Sequence, residues 1–415
     1  MQTQDKKIVH ILGGSENQLE IILAAKALGY SVLVSDMYEN PPAKELADFF
    51  EQANTTDKEK TLEIAERYKI SAICTDQTDV AVSTVAYIAE KLNLKGIGYE
   101  IAQRFTNKRI MRSFLHENLS SDYQANIPKF KFFESPESAI QGLSSLFDEF
   151  SNDTLIVKPI NSQGSKGVNK LKVKEDKASQ EEKIKLAFSE SKNSGILIED
   201  FIDGYEVAVE SFIKDGEIYP LCISKKYHYK SNACLDQKVE FLGDIDPILE
   251  KKLFELNSEI IRTLGQNFGL NHSEYRVMNG EAYLIETAAR GAGSNVSGKI
   301  VPFLTGFDTN IALLKLLFSE ECKINISDYK KSFALLEFFN IDSPSPITIK
   351  EISIDPEIYN LCEELRINAS IGDRIEGASD SRSRIGQVII LSNESVEDLK
   401  NKSEKINNLI QVKYE

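Results

Sequence analysis

The sequence has few of the residues that mark disulfide frameworks, metal clusters or membrane spans. Its five cysteines are scattered and form no CxxC pair, which predicts free thiols in a reducing compartment. Its four histidines are too dispersed for a histidine-rich metal site. No run approaches the roughly 18 apolar residues of a membrane helix, and the apolar stretch near the N-terminus is too short for a secretory signal. These absences predict a soluble, cytoplasmic protein.

Positive charge is also in short supply. The chain has 64 acidic and 49 basic residues, a formal net charge of −15 and a pI near 5.0. Nucleic-acid and anionic-membrane surfaces need clustered lysine and arginine, so we predict neither as a partner. With 415 residues, 41% of them hydrophobic, the chain has ordinary globular composition and is long enough for about two to four domains.

Strands and helices alternate over the first hundred residues. KIVHIL, SVLVSD and ISAICT are predicted strands, each followed by a helical segment, which is typical of a parallel sheet covered by helices. The turn Gly13-Gly14 after the first strand lacks the G-x-G-x-x-G spacing. It is either a tight strand-to-helix turn or a weak small-ligand site, with Asp36 as a ribose ligand.

The pattern changes after residue 105. A helix is predicted over 106–118, capped by Thr106 or Asn107. The strands that follow predict a mostly antiparallel α+β region, with hairpin turns at Asp215-Gly216 and Asn279-Gly280 and a helix over 247–268. Residues 330–415 are expected to form a smaller unit, which contains the strands FALLEFFNI and RIGQVIILS and a helix capped by Ser395.

Two glutamates carry the sharpest chemical prediction. The turn at Asn279-Gly280 places Glu274 nearly opposite Glu286 on one face of the hairpin. Facing carboxylates repel each other unless a cation lies between them, and Mg²⁺ takes carboxylate oxygens together with substrate phosphates. The alternative is a salt bridge to Arg276 or Arg290.

Two other strings are compatible with nucleotide binding. In IVKPINSQGSKGV, a strand delivers Lys158 to a loop in which Gly164 and Gly167 permit positive φ, so backbone amides can bind phosphate. In ILIEDFIDGYEVAVE, Glu199 and Glu206 could accept hydrogen bonds from adenine or ribose. The alternatives are a plain surface hairpin and solvated acids.

The motifs together resemble the ATP-grasp superfamily. NKRIM, IVKPINSQGSKGV, LIEDFIDGYEVAVE, HSEYRV and YLIETAARGAGS occur in the order of that superfamily. Within it the chain most resembles the carboxylate–amine (amino-acid) ligase branch, which is similar to biotin carboxylase and the purine-biosynthetic ligases. The resemblance implies a Rossmann-like pre-ATP-grasp domain (1–105), a linker helix and small lobe with a phosphate lid (106–195), a large lobe with a metal site (196–329) and a C-terminal α+β domain (330–415).

The resemblance also implies a role for each matching residue. The nucleotide-binding residues would be Lys108 and Lys158, the lid residues Gly164, Ser165 and Gly167, the adenine hinge Glu199, Asp200, Phe201 and Ile202, and the ribose ligand Glu206. Glu274 and Glu286 would bind Mg²⁺, or Mn²⁺ in its place. Arg290 and Lys158 would be catalytic, with Arg290 steadying an acyl phosphate or a substrate carboxylate.

The expected activity is ATP-dependent ligation of a carboxylate and an amine through an acyl phosphate. One position departs from the family pattern E-x-N-x-R, since Ala288 stands where asparagine normally adds a metal ligand. A bicarbonate-dependent carboxylase and a nucleotide-binding protein without ligase activity therefore stay open as alternatives.

We expect small-molecule partners and a possible homodimer. The segments 226–237 and 380–386 are candidates for substrate specificity by position. Arg382 and Arg384 in the second segment are either substrate-anion ligands or surface charges.

Overall fold

A computed structural model of the chain describes residues 7–341, 343, 346–377 and 379–415. The first six residues, part of the segment in which no secretory signal is expected, lie outside the described residues. The described elements form four sheets with helices packed against them, so the predicted mixture of α/β and α+β structure is confirmed.

The first sheet is parallel, as the alternating pattern predicted. Its strand order is β3-β2-β1-β4, with β1 (Ile8–Leu12), β2 (Ser31–Asp36), β3 (Phe49–Gln52) and β4 (Ala72–Cys74). The accompanying helices are α1 (Leu19–Ala27), α2 (Lys58–Tyr68) and α3 (Val82–Lys91). Sequence reasoning missed β3 because this edge strand is short and none of its residues is fully buried.

The glycine turn after β1 is closed by its own contacts. The amide of Gly14 donates to the Asp36 carboxylate at 2.6 Å, and Asp36 also accepts from the amide of Tyr38. A Cβ on Gly14 would lie only 2.7 Å from Pro41. The structure therefore favours the tight-turn interpretation, because Asp36 already serves the turn.

Two consecutive helices connect the first sheet to the next. They are α4 (Tyr99–Thr106), which sequence reasoning missed, and α5 (Lys108–Asn118). The side chain of Asn107 accepts hydrogen bonds from the amides of Arg109 and Ile110, so Asn107 is the cap of α5 while Thr106 ends the helix before it.

The second sheet is antiparallel and small. Its order is β5-β8-β6-β7, with β5 (Phe130–Phe133), β6 (Thr154–Pro159), β7 (Asn169–Lys172) and β8 (Ile196–Asp200). Two helices, α6 (Pro136–Phe150) and α7 (Lys177–Glu190), share an apolar core with it.

The third sheet has eight strands and forms the floor of the molecule's main cleft. Its order is β13-β12-β9-β10-β11-β14-β18-β16, with β9 (Tyr205–Lys214), β10 (Glu217–His228), β11 (Asp236–Phe241), β12 (Gly269–Met278), β13 (Glu281–Ala288), β14 (Phe333–Phe339), β16 (Glu364–Ile367) and β18 (Gly386–Ser392). Both predicted hairpins are confirmed. The sheet continues across residue 330, and the domain boundaries given above stay predictions.

Three helices belong to the same part of the fold. They are α8 (Pro247–Leu264), α9 (Val301–Thr305) and α10 (Thr309–Leu317). The helix predicted over 247–268 ends at Leu264, because Gly265 adopts φ +89° and terminates it. One apolar core joins residues of α1, such as Ile22, to residues of α10, such as Leu314, so the first sheet and the large sheet pack as neighbours.

The remaining elements lie near the C-terminus. A three-stranded sheet is formed by β15 (Ile347–Ile354), β17 (Arg374–Ile375) and β19 (Ile410–Tyr414), and α11 spans Val396–Leu409. The hydroxyl of Ser395 accepts from the amide of Asp398, which confirms the predicted cap.

None of the described helices is long and apolar enough by itself to cross a bilayer. The segments Val296–Thr305 and Thr309–Leu317 meet the length and composition test only as a pair, and a bend of 109° separates them.

Candidate functional site

One cleft gathers almost every residue that the sequence singled out. Its walls come from the second sheet and the lid loop on one side and from the eight-stranded sheet on the other. The predicted residues that line it are Lys108, Lys158, Gly164, Ser165, Glu199, Asp200, Phe201, Ile202, Glu206, Glu274, Glu286 and Arg290. Gly167 lies in the same loop but does not line the cavity.

A cluster of buried charges lies where the second sheet meets the cleft. This hinge cluster consists of Arg112, Lys158 and Glu199. Arg112 Nε lies 2.9 Å from one carboxylate oxygen of Glu199, and Lys158 Nζ lies 2.5 Å from the other. Burial alone would raise the pKa of Glu199, but the two cations outweigh it and hold that pKa below its ordinary value. Glu199 is therefore ionised, and each of its carboxylate oxygens contacts a cation.

These contacts bear on the predicted adenine hinge. Because the carboxylate of Glu199 is occupied by Arg112 and Lys158, hydrogen bonds to an adenine edge would have to come from the backbone of residues 200–202. Sequence reasoning missed Arg112, although it follows Lys108 by four residues on α5 and therefore lies on the same helix face.

Two lysines reach the centre of the cleft. Burial lowers the pKa of Lys158 to about 8, against the opposing attraction of Glu199. Lys108 Nζ donates to the carbonyl of Ser162 at 2.8 Å and lies 2.6 Å from Glu286 Oε1. Both ammonium groups are thus held where an anionic ligand in the cleft would meet them.

The two glutamates of the hairpin face each other as predicted. Glu274 pairs with Glu286 in the register of β12 and β13, with a bulge directly after Glu274. Glu274 Oε1 lies 2.5 Å from Lys226 Nζ and 3.1 Å from His272 Nε2. The pairing with Arg276 or Arg290, offered above as the alternative to a metal, is wrong: the protein partners are Lys226, His272 and, for Glu286, Lys108.

A second cluster of charges extends across the eight-stranded sheet. This sheet cluster contains the carboxylates Glu206, Glu210, Asp236 and Glu274 and the cationic side chains Lys226, His228, His272 and Arg276. Sequence reasoning missed most of it. A signal existed, because the hairpin turn at Asp215-Gly216 places Lys226 opposite Glu206.

The histidines of the sheet cluster are held in their charged form. Burial alone would lower the pKa of His272, but Glu210 and Glu274 outweigh it and raise the pKa to about 9. Hydrogen bonds to Asp236 and Glu206 likewise overcome the effect of burial and raise the pKa of His228 to about 9.

Ligand atoms of Glu206, His228 and Asp236 lie within 4.8 Å of one another, a spacing that a metal ion could use. Lys226 lies 3.4 Å from Glu206 and 3.2 Å from Asp236, and Arg276 also pairs with Glu206. These acids are therefore paired with protein cations, as Glu274 and Glu286 also are.

The lid loop has the backbone conformation that its glycines permit. Gly164, Ser165 and Gly167 have φ values of +68°, +61° and +71°. Ser165 Oγ donates to the carbonyl of Cys234 at 2.5 Å, and the amide of Ser381 donates to the carbonyl of Gly164 at 3.3 Å. The lid therefore contacts both segments that were proposed by position for substrate specificity, 226–237 and 380–386.

Arg290 pairs with Asp79, which lies between strand β4 of the first sheet and helix α3. Its guanidinium donates to both carboxylate oxygens of Asp79 at 2.9 Å. Ala288 lies opposite His272 in the strand register, so the position without asparagine is faced by an imidazole that contacts Glu274. Asp79 and His272 were both missed from sequence.

A known protein family and individual proteins resemble this chain in sequence. A family model described as an ATP-grasp domain matches residues 151–298. Phosphoribosylamine–glycine ligase from Pyrococcus furiosus is 25% identical over 242 residues, which are 58% of this chain and 51% of that protein. The chain thus aligns with about half the length of this curated relative.

Solved structures resemble the whole chain. The phosphoribosylglycinamide synthetase from Anaerococcus prevotii superposes with a TM-score of 0.72 at 21% identity, covering 99% of this chain and 100% of its own. The L-amino acid ligase from Bacillus licheniformis gives a TM-score of 0.77 at 20% identity, covering 99% of both chains. At such identities these likenesses show the fold.

The fold and the cleft define a mixed α/β protein whose charged cavity lies between a small and a large sheet. The family match shows an ATP-grasp domain over residues 151–298 and confirms the resemblance for that part of the chain, while the solved structures share the fold over its whole length.

Proposed function

We propose that the protein is an ATP-dependent carboxylate–amine ligase that forms ADP and phosphate. The observation that carries this proposal is the facing pair Glu274 and Glu286 on the floor of the cleft, with Lys108 and Lys158 beside it, in an ATP-grasp domain. The relatives whose names denote C–N ligation support it. Small-molecule partners follow from the proposal, whereas a homodimer and a cytoplasmic location stay predictions.

The two glutamates fit Mg²⁺ by the chemistry of their donor atoms. Carboxylate oxygens are ligands that Mg²⁺ prefers, usually shared with phosphates and water. Both side chains line the cavity and are partly exposed, 22% for Glu274 and 27% for Glu286. Bound there, Mg²⁺ or Mn²⁺ would neutralise charge on the β- and γ-phosphates.

The remaining residues of the cleft would position the substrates and stabilise their negative charge. Lys108 and Lys158 supply fixed positive charge for the phosphates, and the lid loop closes over them. Arg290, held by Asp79, would meet negative charge on the acyl group. Catalysis of this kind rests on positioning and charge stabilisation, with no protein nucleophile required.

The reaction has two steps. A substrate carboxylate oxygen attacks the γ-phosphorus of ATP, and the bond to the bridging oxygen of ADP breaks. The amine nitrogen then attacks the acyl carbon, phosphate leaves with the electron pair of the C–O bond, and the nitrogen loses a proton.

Two rival functions make different predictions. A bicarbonate-dependent carboxylase would release ADP with bicarbonate alone, before any amine is added. A nucleotide-binding protein without ligase activity, the interpretation that Ala288 favours, would bind ATP and release no ADP under any substrate mixture.

The test is ADP release from ATP and Mg²⁺ with amino acids and related small carboxylates and amines, supplied singly and in pairs. ADP that forms only when one carboxylate and one amine are both present supports the ligase. ATP that shifts the melting temperature, without ADP from any mixture, contradicts it.

The Glu286→Ala variant tests the proposed metal site within that assay. We expect ADP release to fall at least about a hundredfold, because a charge-stabilising group is lost, while the fold is kept. Glu281→Ala on the same strand is the matched control, since Glu281 pairs with Lys252 on the surface. Near-normal ADP release by Glu286→Ala would remove the metal argument.

A further inference from the structure

The segment 380–386 places two arginines in different surroundings. Arg382 is exposed and pairs with Asp380 at 2.6 Å and with Glu190 at 2.8 Å. Arg384 lines the cleft between the second sheet and the eight-stranded sheet, and it also lines a second pocket that adjoins this cleft. We propose that Arg384 binds the carboxylate of a small organic acid with an apolar body, an amino acid being one such molecule; this rests on the proposed ligase function.

The first argument is an unmet hydrogen-bonding need. The guanidinium carbon of Arg384 lies 3.4 Å from the centre of the Phe338 ring. One terminal nitrogen donates to the carbonyl of Asp236 at 3.3 Å, while the buried Nε has no hydrogen-bond partner within the described residues. A buried donor left without a partner costs free energy, on the order of 1–3 kcal/mol and more for a charged group.

The second argument is the missing counter-charge. Arg112 pairs with Glu199 and Arg290 pairs with Asp79, each through two nitrogens. Among the described residues Arg384 forms no ion pair within 4 Å; burial lowers its pKa and outweighs the attraction of the more distant Asp236 and Asp380. An anion delivered by a ligand would supply the partner that this arginine lacks.

The third argument is the shape of the adjoining pocket. Its lining is mixed: Val239, Phe241, Leu336 and Phe338 are apolar, and the other lining residues include charged side chains such as Lys226 and Asp236. The apolar side chains favour a hydrocarbon body, and the carboxylates of Glu210, Asp236 and Glu274 in the same lining could meet an ammonium group on the ligand. The pocket also shares Gly164 and Arg290 with the cleft, so an acid bound there would lie beside the lid loop.

A phosphate group is the competing source of negative charge, because Arg384 also lines the cleft itself. The observations favour the carboxylate. Lys108 and Lys158 already supply cations in the cleft, and Phe338, whose ring contacts Arg384, also lines the adjoining pocket.

The experiment measures binding rather than turnover. The protein is saturated with Mg²⁺ and a non-hydrolysable ATP analogue, and titrated calorimetrically with aliphatic and aromatic L-amino acids and with their carboxamides. In the wild-type protein we expect at least one acid to bind about tenfold or more tightly than its amide. Arg384→Gln should abolish that preference, and Arg382→Gln, the matched neighbour, should keep it.

Two results would overturn the proposal. One is a wild-type protein that distinguishes none of the acids from its amide. The other is an Arg384→Gln variant that keeps the preference but binds the ATP analogue more weakly relative to ADP, which would assign Arg384 to the γ-phosphate.

A purely structural role for Arg384 is tested by melting temperature. If Arg384 only braces Phe338 and the Asp236 carbonyl, Arg384→Met should melt at a lower temperature than the ligand-free wild type. We expect the same or a higher melting temperature, since an unpaired buried charge is removed. Should Arg384→Gln fold poorly, Arg384→Lys keeps the charge, and we expect it to retain part of the acid preference.

The binding assay separates this inference from the proposed function. Arg384-dependent binding of an acid without ADP release from any mixture would refute the ligase and leave the binding site standing. ADP release that is equally efficient in Arg384→Gln, with unchanged KM for the carboxylate, would refute the binding site and leave the ligase standing.

Discussion

Two groups of buried charges border the cleft, and they are balanced in different ways. In the hinge cluster, one carboxylate, Glu199, is shared by two cations, Arg112 and Lys158. In the sheet cluster, four carboxylates face two permanent cations and two histidines, and its charges balance only when both His228 and His272 are protonated.

This difference in charge balance suggests different roles for the two walls of the cleft, one containing the hinge cluster and the other the sheet cluster. The hinge cluster carries surplus positive charge beside the cavity, which suits a polyanionic ligand such as a nucleotide phosphate chain. The sheet cluster is neutral only through its histidines, so its electrostatic balance is lost as the pH approaches 9. Both walls titrate, but the first loses a positive charge as Lys158 deprotonates near pH 8, whereas the second loses its charge balance as His228 and His272 deprotonate near pH 9.

The largest expected effect comes from breaking the hinge cluster. Glu199→Gln leaves Arg112 and Lys158 buried without their counter-charge, and we expect the free energy of unfolding to fall by about 3–5 kcal/mol. Urea denaturation monitored by circular dichroism measures it.

The matched control is Glu149→Gln, which removes a surface pair with Lys131 and should cost less than about 1 kcal/mol. If the two variants lost equal stability, the hinge cluster would not be the buried ion-pair network described here.

Much of this arrangement could be predicted from the sequence. The alternation of strands and helices gave the parallel sheet, and the turns at Asp215-Gly216 and Asn279-Gly280 gave both hairpins and the facing of Glu274 and Glu286. These predictions succeed because register follows from a tight turn and a period of two.

Other parts could not be predicted because they depend on contacts between distant segments. Arg112 meets Glu199 across 87 residues and Arg290 meets Asp79 across 211, and neither pairing has a local signal. The short edge strand Phe49–Gln52 was missed for a different reason, since its half-exposed residues lack an apolar pattern. The roles assigned to individual site residues stay predictions.

The second-largest expected effect is a fall in stability when a rise in pH removes the positive charges of the sheet cluster. The folded-state pKa values of His228 and His272, each about 9, lie above the ordinary 6.5. Their stabilisation is therefore fully present below pH 6.5 and is lost as the pH rises through 9. Between pH 6.5 and 8.5 we expect the free energy of unfolding to fall by about 2 kcal/mol for each histidine, measured as urea denaturation at several pH values.

Single variants identify the source of that slope. His272→Gln should be less stable than the wild type at pH 6.5 and should show a shallower fall, whereas His116→Gln, at an exposed position on α5, should keep the wild-type slope. A wild-type stability that is flat over this range would contradict the proposed charge balance.

The smallest expected effect has the opposite sign and belongs to the hinge cluster. The pKa of Lys158 is lowered to about 8 by burial, below its ordinary 10.5, so above pH 8 the unfolded chain binds more protons than the folded one. The contribution of Lys158 to the free energy of unfolding should therefore increase by about 1 kcal/mol between pH 8 and 9. The histidines lower stability over the same interval, so the effect must be measured as the difference between the wild type and Lys158→Met, with exposed Lys131→Met as the control. A difference that stays constant from pH 8 to 9 would mean that Lys158 keeps an ordinary pKa, and that the surplus charge of the hinge cluster does not titrate in this range.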